Sequence, residues 1–305
     1  MGEFCENALI MKNKECLLLN QPSLNELSEN GFFEKNDFHI YFVCSCPKVQ
    51  IIPEKCNFIE NIVHLYFKIW NKDSYSIEEL KLESDAKIEI NSEYPYNMGT
   101  ATHQNQGTLD FSSTLLYTTF ADEKLDFEVL YIGQSFGKDG SRNVDKRLLS
   151  HSTLQKIYSE ILINDPNKEI WLLLMSFDEP YQCILLNNRS KQLDYEKWVE
   201  NRKAGNAIPL NQRINYTEAA LINYFKPEYN EKFKENFPDP NHTSYEACFE
   251  HKMDRICFEL ITQPELPINL YSKEIRSDYY HTGIYSLDDL KRKDILFDYG
   301  NLLDK

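Results

Sequence analysis

The stretch "LYIGQSFGKDGSRNVDKRLLSH" (130–151) decides how the chain is read. An apolar run ends in Tyr131-Ile132-Gly133. A polar loop with two glycines follows, and a basic segment then carries Arg147 and His151 four residues apart. The run upstream, "FEVLYIG" (127–133), is rich in β-branched and aromatic residues and reads as a strand. Downstream, "DKRLLSHSTLQKIYSEIL" (145–162) has Leu148, Leu149, Ile157 and Ile161 near helical spacing, and Asn164-Asp165-Pro166 ends it. On one helix, positions i and i+4 share a face, so Arg147 and His151 would point into one cleft.

Working outward, "TLLYTTF" (114–120) reads as a second strand, joined to 127–133 by the polar turn "ADEKLD" in a hairpin. "EIWLLLMSF" (169–177) reads as a buried strand, and "TEAALINYF" (217–225) as a helix that must stop before Pro227. The order is β-β-α-β, an insert over about 178–213, then α. Residues 1–110 read as mostly strands in a sandwich-like module, with "FHIYFVCSC" (38–46), "NIVHLYFKIW" (61–70) and the alternating "AKIEIN" (86–91). "NKDSYSIEELKLESD" (71–85) has room for a short helix, and "YEACFEHKMDRICFELITQ" (245–263) reads as strands. The predicted fold class is therefore α+β in three parts. They are a β-rich N-terminal domain over 1–110, a central unit over 111–235, and a β-containing segment over 236–305 that packs on the N-terminal domain.

Composition sets limits on function. The chain has 305 residues, 42% of them hydrophobic, and 13% aromatics with only 10 glycines, which argues for a packed core over disorder. No run approaches the roughly 18–20 apolar residues of a membrane span. The N-terminus scatters charges through its apolar residues, unlike a signal peptide. A cytoplasmic protein without membrane contact is expected. Its eight cysteines are irregularly spaced, and neither Cys44-Ser-Cys46 nor Cys248, His251 and Cys257 has the paired spacing of a zinc site. The net charge of −15 opposes nucleic-acid binding, but it is unevenly spread. Residues 131–235 carry 15 Lys and Arg against 14 Asp and Glu, so the middle of the chain tolerates a phosphate backbone. The acidic flanks suit a protein partner.

Over 114–230 the residues resemble the GIY-YIG endonuclease superfamily. That resemblance rests on Tyr131-Ile132-Gly133, on Arg147 with His151, and on Glu218 and Asn230 of "TEAALINYFKPEYN", twelve residues apart. It implies a small antiparallel sheet flanked by helices. The implied catalytic set is a first-strand tyrosine with Tyr131, Arg147, His151, Glu218 and Asn230, Glu218 holding Mg²⁺ or Mn²⁺. No literal "GIY" precedes the "YIG". Tyr117, fourteen residues upstream, stands in for the first tyrosine, and Gly283-Ile284-Tyr285 near the C-terminus reads as an accidental match.

The residue types suit phosphodiester hydrolysis on their own chemistry. Arg grips phosphate oxygens and keeps its charge, while His titrates near neutrality and can take a proton from water. Glu218 in the first turn of its helix would be kept ionised by the helix dipole, as a hard ligand for Mg²⁺ should be. Lys138, Arg142 and Lys146, in and after the glycine-containing loop, would grip the backbone of double-stranded DNA. Two readings stay open: a metal-dependent DNA endonuclease, of a kind that would suit restriction or defence, and a catalytically degenerate nuclease fold that binds nucleic acid or protein.

Overall fold

A computed structural model describes residues 5–59, 61–103, 105, 107–135, 144–149, 151–177, 180–186, 207–239, 245–251 and 253–287. The chain begins with β1 (Cys5–Lys12), β2 (Cys16–Leu19), α1 (Gln21–Glu29) and β3 (Ile40–Pro47). A strand-rich excursion follows: β4 (Val49–Ile51), β5 (Asn57–Ile59), β6 (Ile62–Asn71), β7 (Ser74–Glu83), β8 (Lys87–Ile90), β9 (Met98–His103) and β10 (Gly107–Ser112). Helix α2 (Ser113–Phe120) leads to β11 (Asp126–Gln134), α3 (Val144–Leu149), α4 (Ser152–Asn164), β12 (Lys168–Met175) and β13 (Pro180–Leu186). Then come α5 (Leu210–Phe225), α6 (Glu246–Glu250), β14 (Arg255–Ile261), β15 (Asn269–Tyr271) and β16 (Tyr280–Ser286).

The fold is mixed α+β, strand-rich, with several sheets. The sheet that positions the site has the order β15-β11-β3-β12-β2, antiparallel except where β15 pairs with β11. Its strands are buried on both faces, which is why "IWLLLM" reads as an unbroken apolar run. Phe42 of β3 and Trp171, Leu173 and Met175 of β12 face one core, together with Ile214, Leu221 and Phe225 of α5. Tyr41 and Val43 face the other, together with Leu24 of α1, Leu148 of α3, and Leu154 and Ile157 of α4. Such a residue gains about 1.5–3 kcal/mol by full burial, so the alternation fixes the register. Among the described residues, no helix is long and apolar enough to cross a membrane.

Strand pairing ignores the three-part division expected from the sequence. β3, inside 1–110, is the central strand between β11 and β12, and β1 pairs with β13 and with β14 of the C-terminal segment. The excursion after β3 is two small sheets, not a sandwich-like domain: β4, β5 and β7 around β6, and β10-β9-β8.

Five local expectations are also corrected. Residues 113–120 form helix α2, not a strand, because the Ser112 side chain accepts from the Leu115 amide and caps the helix against the β propensity of its residues. Residues 74–83 form β7, paired along its whole length with β6 about a tight turn at Lys72 (φ 50). The helix expected over 145–162 is broken into α3 and α4, and 246–250 is helical before β14 begins. Helix α5 begins at Leu210, not near Thr217, and ends with Lys226 in the left-handed region (φ 48) ahead of Pro227.

Candidate active site

Two tyrosines meet on one face of the central sheet through a bulge. In β11 the register shifts between Val129, opposite Cys44, and Tyr131, opposite Val43. Strict alternation would put Tyr131 on the same face as Val129; the extra residue, Leu130, turns it to the face of Tyr41. The Tyr41 and Tyr131 rings stack with centroids 6.1 Å apart. Gly133 lies directly opposite Tyr41, and a Cβ there would stand 2.5 Å from the Tyr41 hydroxyl oxygen. The glycine of "YIG" is thus the seat of the other strand's tyrosine. Tyr41 is completely buried, whereas Tyr131 keeps partial exposure.

Arg147, on α3, donates from Nε to the Tyr41 hydroxyl at 3.2 Å. His151 packs on both rings, 5.1 Å from Tyr131 and 5.9 Å from Tyr41 between centroids. It is not on the same helix as Arg147. It is the N-cap of α4, where its Nδ1 accepts from the Leu154 amide at 3.2 Å. Burial and the nearby guanidinium lower its pKa. The ring is therefore neutral at neutral pH, with its hydrogen on Nε2. With Nδ1 engaged in the cap, the ring turns an Nε2–H donor to its other side.

Glu218 lies in mid-helix on α5, so the helix dipole cannot hold it ionised as the sequence reading expected. Burial pushes its carboxyl up to about 7, against the opposing pull of Arg147 and of a hydrogen bond from the Gln134 backbone. Burial pushes both phenols up as well, Tyr41 the further. Hydrogen bonds from Tyr41 and Arg147 favour the ionised form of Tyr131. Burial and the Glu218 charge outweigh them, so Tyr131 stays above its ordinary value, though less shifted and more exposed than Tyr41.

Asn230 grips the backbone of the motif strand. Its amide donates to the Ile132 carbonyl at 2.8 Å and accepts from the Ile132 N–H at 2.9 Å, while the Tyr229 N–H donates to the Leu130 carbonyl at 3.0 Å. β15 pairs with β11 only through Glu128, so these bonds continue the ladder along an edge left open. Asn230 is buried, with both arms of its amide engaged by the Ile132 backbone.

Of the residues singled out from sequence, Tyr131, Arg147 and His151 gather around Tyr41, and the Glu218 charge acts on Tyr131 and Arg147. Tyr117 is not among them: it lies on α2 and packs against Phe67 of β6, with ring centroids 5.5 Å apart. Lys146 is exposed on α3, and Lys138 and Arg142 fall outside the described residues. The Gly283-Ile284-Tyr285 triplet lies on β16, where the Tyr285 hydroxyl donates to the Ala220 carbonyl. The residue missed was Tyr41. Its signal was present in "HIY" (39–41), one residue away from "GIY", but 90 residues before Tyr131.

Among the described residues, no group of three or more His, Cys, Asp or Glu gathers to hold a metal ion. Glu218 still fits a divalent cation. A mostly buried carboxyl whose charge is only partly offset by one guanidinium has a raised pKa, and a cation beside it would reverse that cost. Comparison of the chain with protein-family models, with curated proteins and with solved structures finds no match.

Proposed function

We propose that the chain is a Mg²⁺- or Mn²⁺-dependent DNA endonuclease with a GIY-YIG-like catalytic unit. One observation carries the reading: Tyr41, Tyr131, Arg147 and His151 converge on one face of a small antiparallel sheet, and the Glu218 carboxyl of α5 lies near enough for its charge to act on both tyrosines and on Arg147. Such convergence of titratable groups with shifted pKa values at a cleft is what a reactive site requires and a packed core does not.

The roles follow from the geometry. Tyr41, fully buried, is a positioning residue that holds Arg147 by its Nε. Arg147 stabilises the charge that builds on the phosphate oxygens. Tyr131 accepts a hydrogen bond from the attacking water and takes up its proton when ionised. His151 donates from Nε2 to an oxygen of the substrate. Glu218 would hold the cation, which would supply Lewis-acid stabilisation of the charge that develops on the phosphate. A single such site cuts one strand.

The complete burial of Tyr41 favours a second reading, a degenerate nuclease fold that binds without cutting. Nicking of supercoiled plasmid separates the two. The endonuclease reading expects Mg²⁺- or Mn²⁺-dependent nicking that Glu218→Gln abolishes. An intact plasmid with the wild-type protein would favour the binding module.

A further inference from the structure

The excursion between β3 and β11 carries an aromatic surface that the catalytic cleft does not use. On β6, Val63, Leu65 and Phe67 turn into the core, which leaves Tyr66, Lys68 and Trp70 on the outer face. β7 places Tyr75 opposite Trp70 and Ile77 opposite Lys68. The Trp70 and Tyr75 rings lie 5.3 Å apart, and Lys68 Nζ sits 4.6 Å from the first centroid and 4.1 Å from the second. A second ring pair, Tyr94 and Tyr96, lies beyond, with centroids 6.3 Å apart and Lys48 Nζ 6.0 Å from the Tyr94 centroid. Gln50 joins the two pairs: it accepts from Trp70 Nε1 at 2.7 Å and donates to the Pro95 carbonyl at 2.8 Å.

Tyr75, at 50%, and Tyr94, at 75%, are exposed, and Trp70 is half-buried. Among the described residues neither Lys48 nor Lys68 makes an ion pair, although Lys48 lies near enough to Glu169 to oppose the rise of its pKa. Two carboxylates on this side have partners. Glu79 binds His64, Tyr66 and Lys81, and Glu169 accepts from Thr114 and Trp171. In a chain of net charge −15, exposed rings each attended by a lysine form a local surface complementary to an anion with flat faces. Such a ligand is single-stranded nucleic acid: its bases stack on aromatic rings and its phosphates meet the lysines.

We propose that this outer face binds single-stranded nucleic acid, with bases on Trp70, Tyr75 and Tyr94 and phosphates at Lys48 and Lys68. The site is independent of the cleavage chemistry, and its test is free of that chemistry too. Full-length Glu218→Gln protein in EDTA at low salt is titrated with a fluorescein-labelled oligothymidylate of about fifteen nucleotides, a length within the usual site size. Anisotropy is expected to report binding, with an unlabelled duplex of the same length competing poorly. Tyr75→Ala and Tyr94→Ala, at exposed positions that leave the core intact, should each weaken binding about tenfold. Lys48→Glu with Lys68→Glu should weaken it further and flatten its salt dependence. Failure of the parent protein to bind would overturn the proposal. So would unchanged affinity in the two ring variants, or equal competition by duplex. Capture of a proline-rich peptide by the same rings in place of the oligonucleotide would also overturn it, by assigning the face to a protein partner.

Discussion

Tyr41 and Gly133 face each other across β3 and β11, and the tyrosine ring fills the space a side chain at residue 133 would need. A Cβ there would lie 2.5 Å from the Tyr41 hydroxyl oxygen, 2.6 Å from its Cζ and 2.9 Å from Tyr131 Cε1. Two stacked rings and a guanidinium depend on one missing methyl group.

Gly133→Ala should therefore displace both rings. Overpacking of this kind costs about 1–3 kcal/mol, so the thermal midpoint should fall by several degrees while the fold persists. Nicking should fall far more than the modest loss of stability explains. A variant with wild-type melting and wild-type nicking would show that residue 133 tolerates a side chain.

Burial raises Glu218 from its ordinary 4.5 to about 7, so between those values the folded chain holds a proton that the unfolded chain releases. Its contribution to stability is present at low pH and lost as pH rises from about 4.5 to 7. In EDTA, the wild-type advantage at pH 5 over pH 7.5 should shrink in Glu218→Gln, whose side chain is neutral throughout. Added Mg²⁺ should raise the wild-type midpoint at pH 7.5 and leave that of Glu218→Gln unmoved. Identical pH and Mg²⁺ responses in the two proteins would remove Glu218 from the cation site.

His151 carries two separable jobs, a cap on α4 and a ring against the tyrosines. His151→Ala should lose about 0.5–2 kcal/mol of stability through the cap. Asn caps helices well, so His151→Asn should recover stability without recovering nicking. Recovery of both would reduce His151 to its capping role.

Asn230 makes two buried hydrogen bonds to Ile132. Leaving those backbone groups unpaired costs about 1–3 kcal/mol, so Asn230→Ala should lower the midpoint and speed hydrogen exchange at the Ile132 amide. A variant that loses nicking with unchanged melting and exchange would give Asn230 a direct part in the chemistry.

How much of this was legible in the sequence depends on distance along the chain. Tyr131, Arg147 and His151 lie within one stretch, and Glu218 sits on a helix whose end Pro227 marks, so local patterns brought them out. Tyr41 was hidden because its partner strand lies beyond a long excursion, and because His39 stands where a glycine was sought. Tyr117 looked suitable because Thr, Leu and Tyr favour strands, yet a single capping serine made that segment a helix. The bulge at Leu130, which aims Tyr131, leaves no mark in composition or periodicity. The raised pKa of Glu218 comes from tertiary burial, which the starting point of α5 determines.

The most direct measurement is plasmid nicking in Mg²⁺ by the paired variants Tyr41→Phe and Tyr117→Phe. Each removes one hydroxyl and keeps the ring. Tyr41→Phe removes the hydroxyl that accepts from Arg147 Nε and should lower the nicking rate about tenfold or more. Tyr117→Phe, packed on Phe67 away from the cleft, should cut at the wild-type rate. Loss of nicking in Tyr117→Phe with full activity in Tyr41→Phe would contradict a site built on Tyr41.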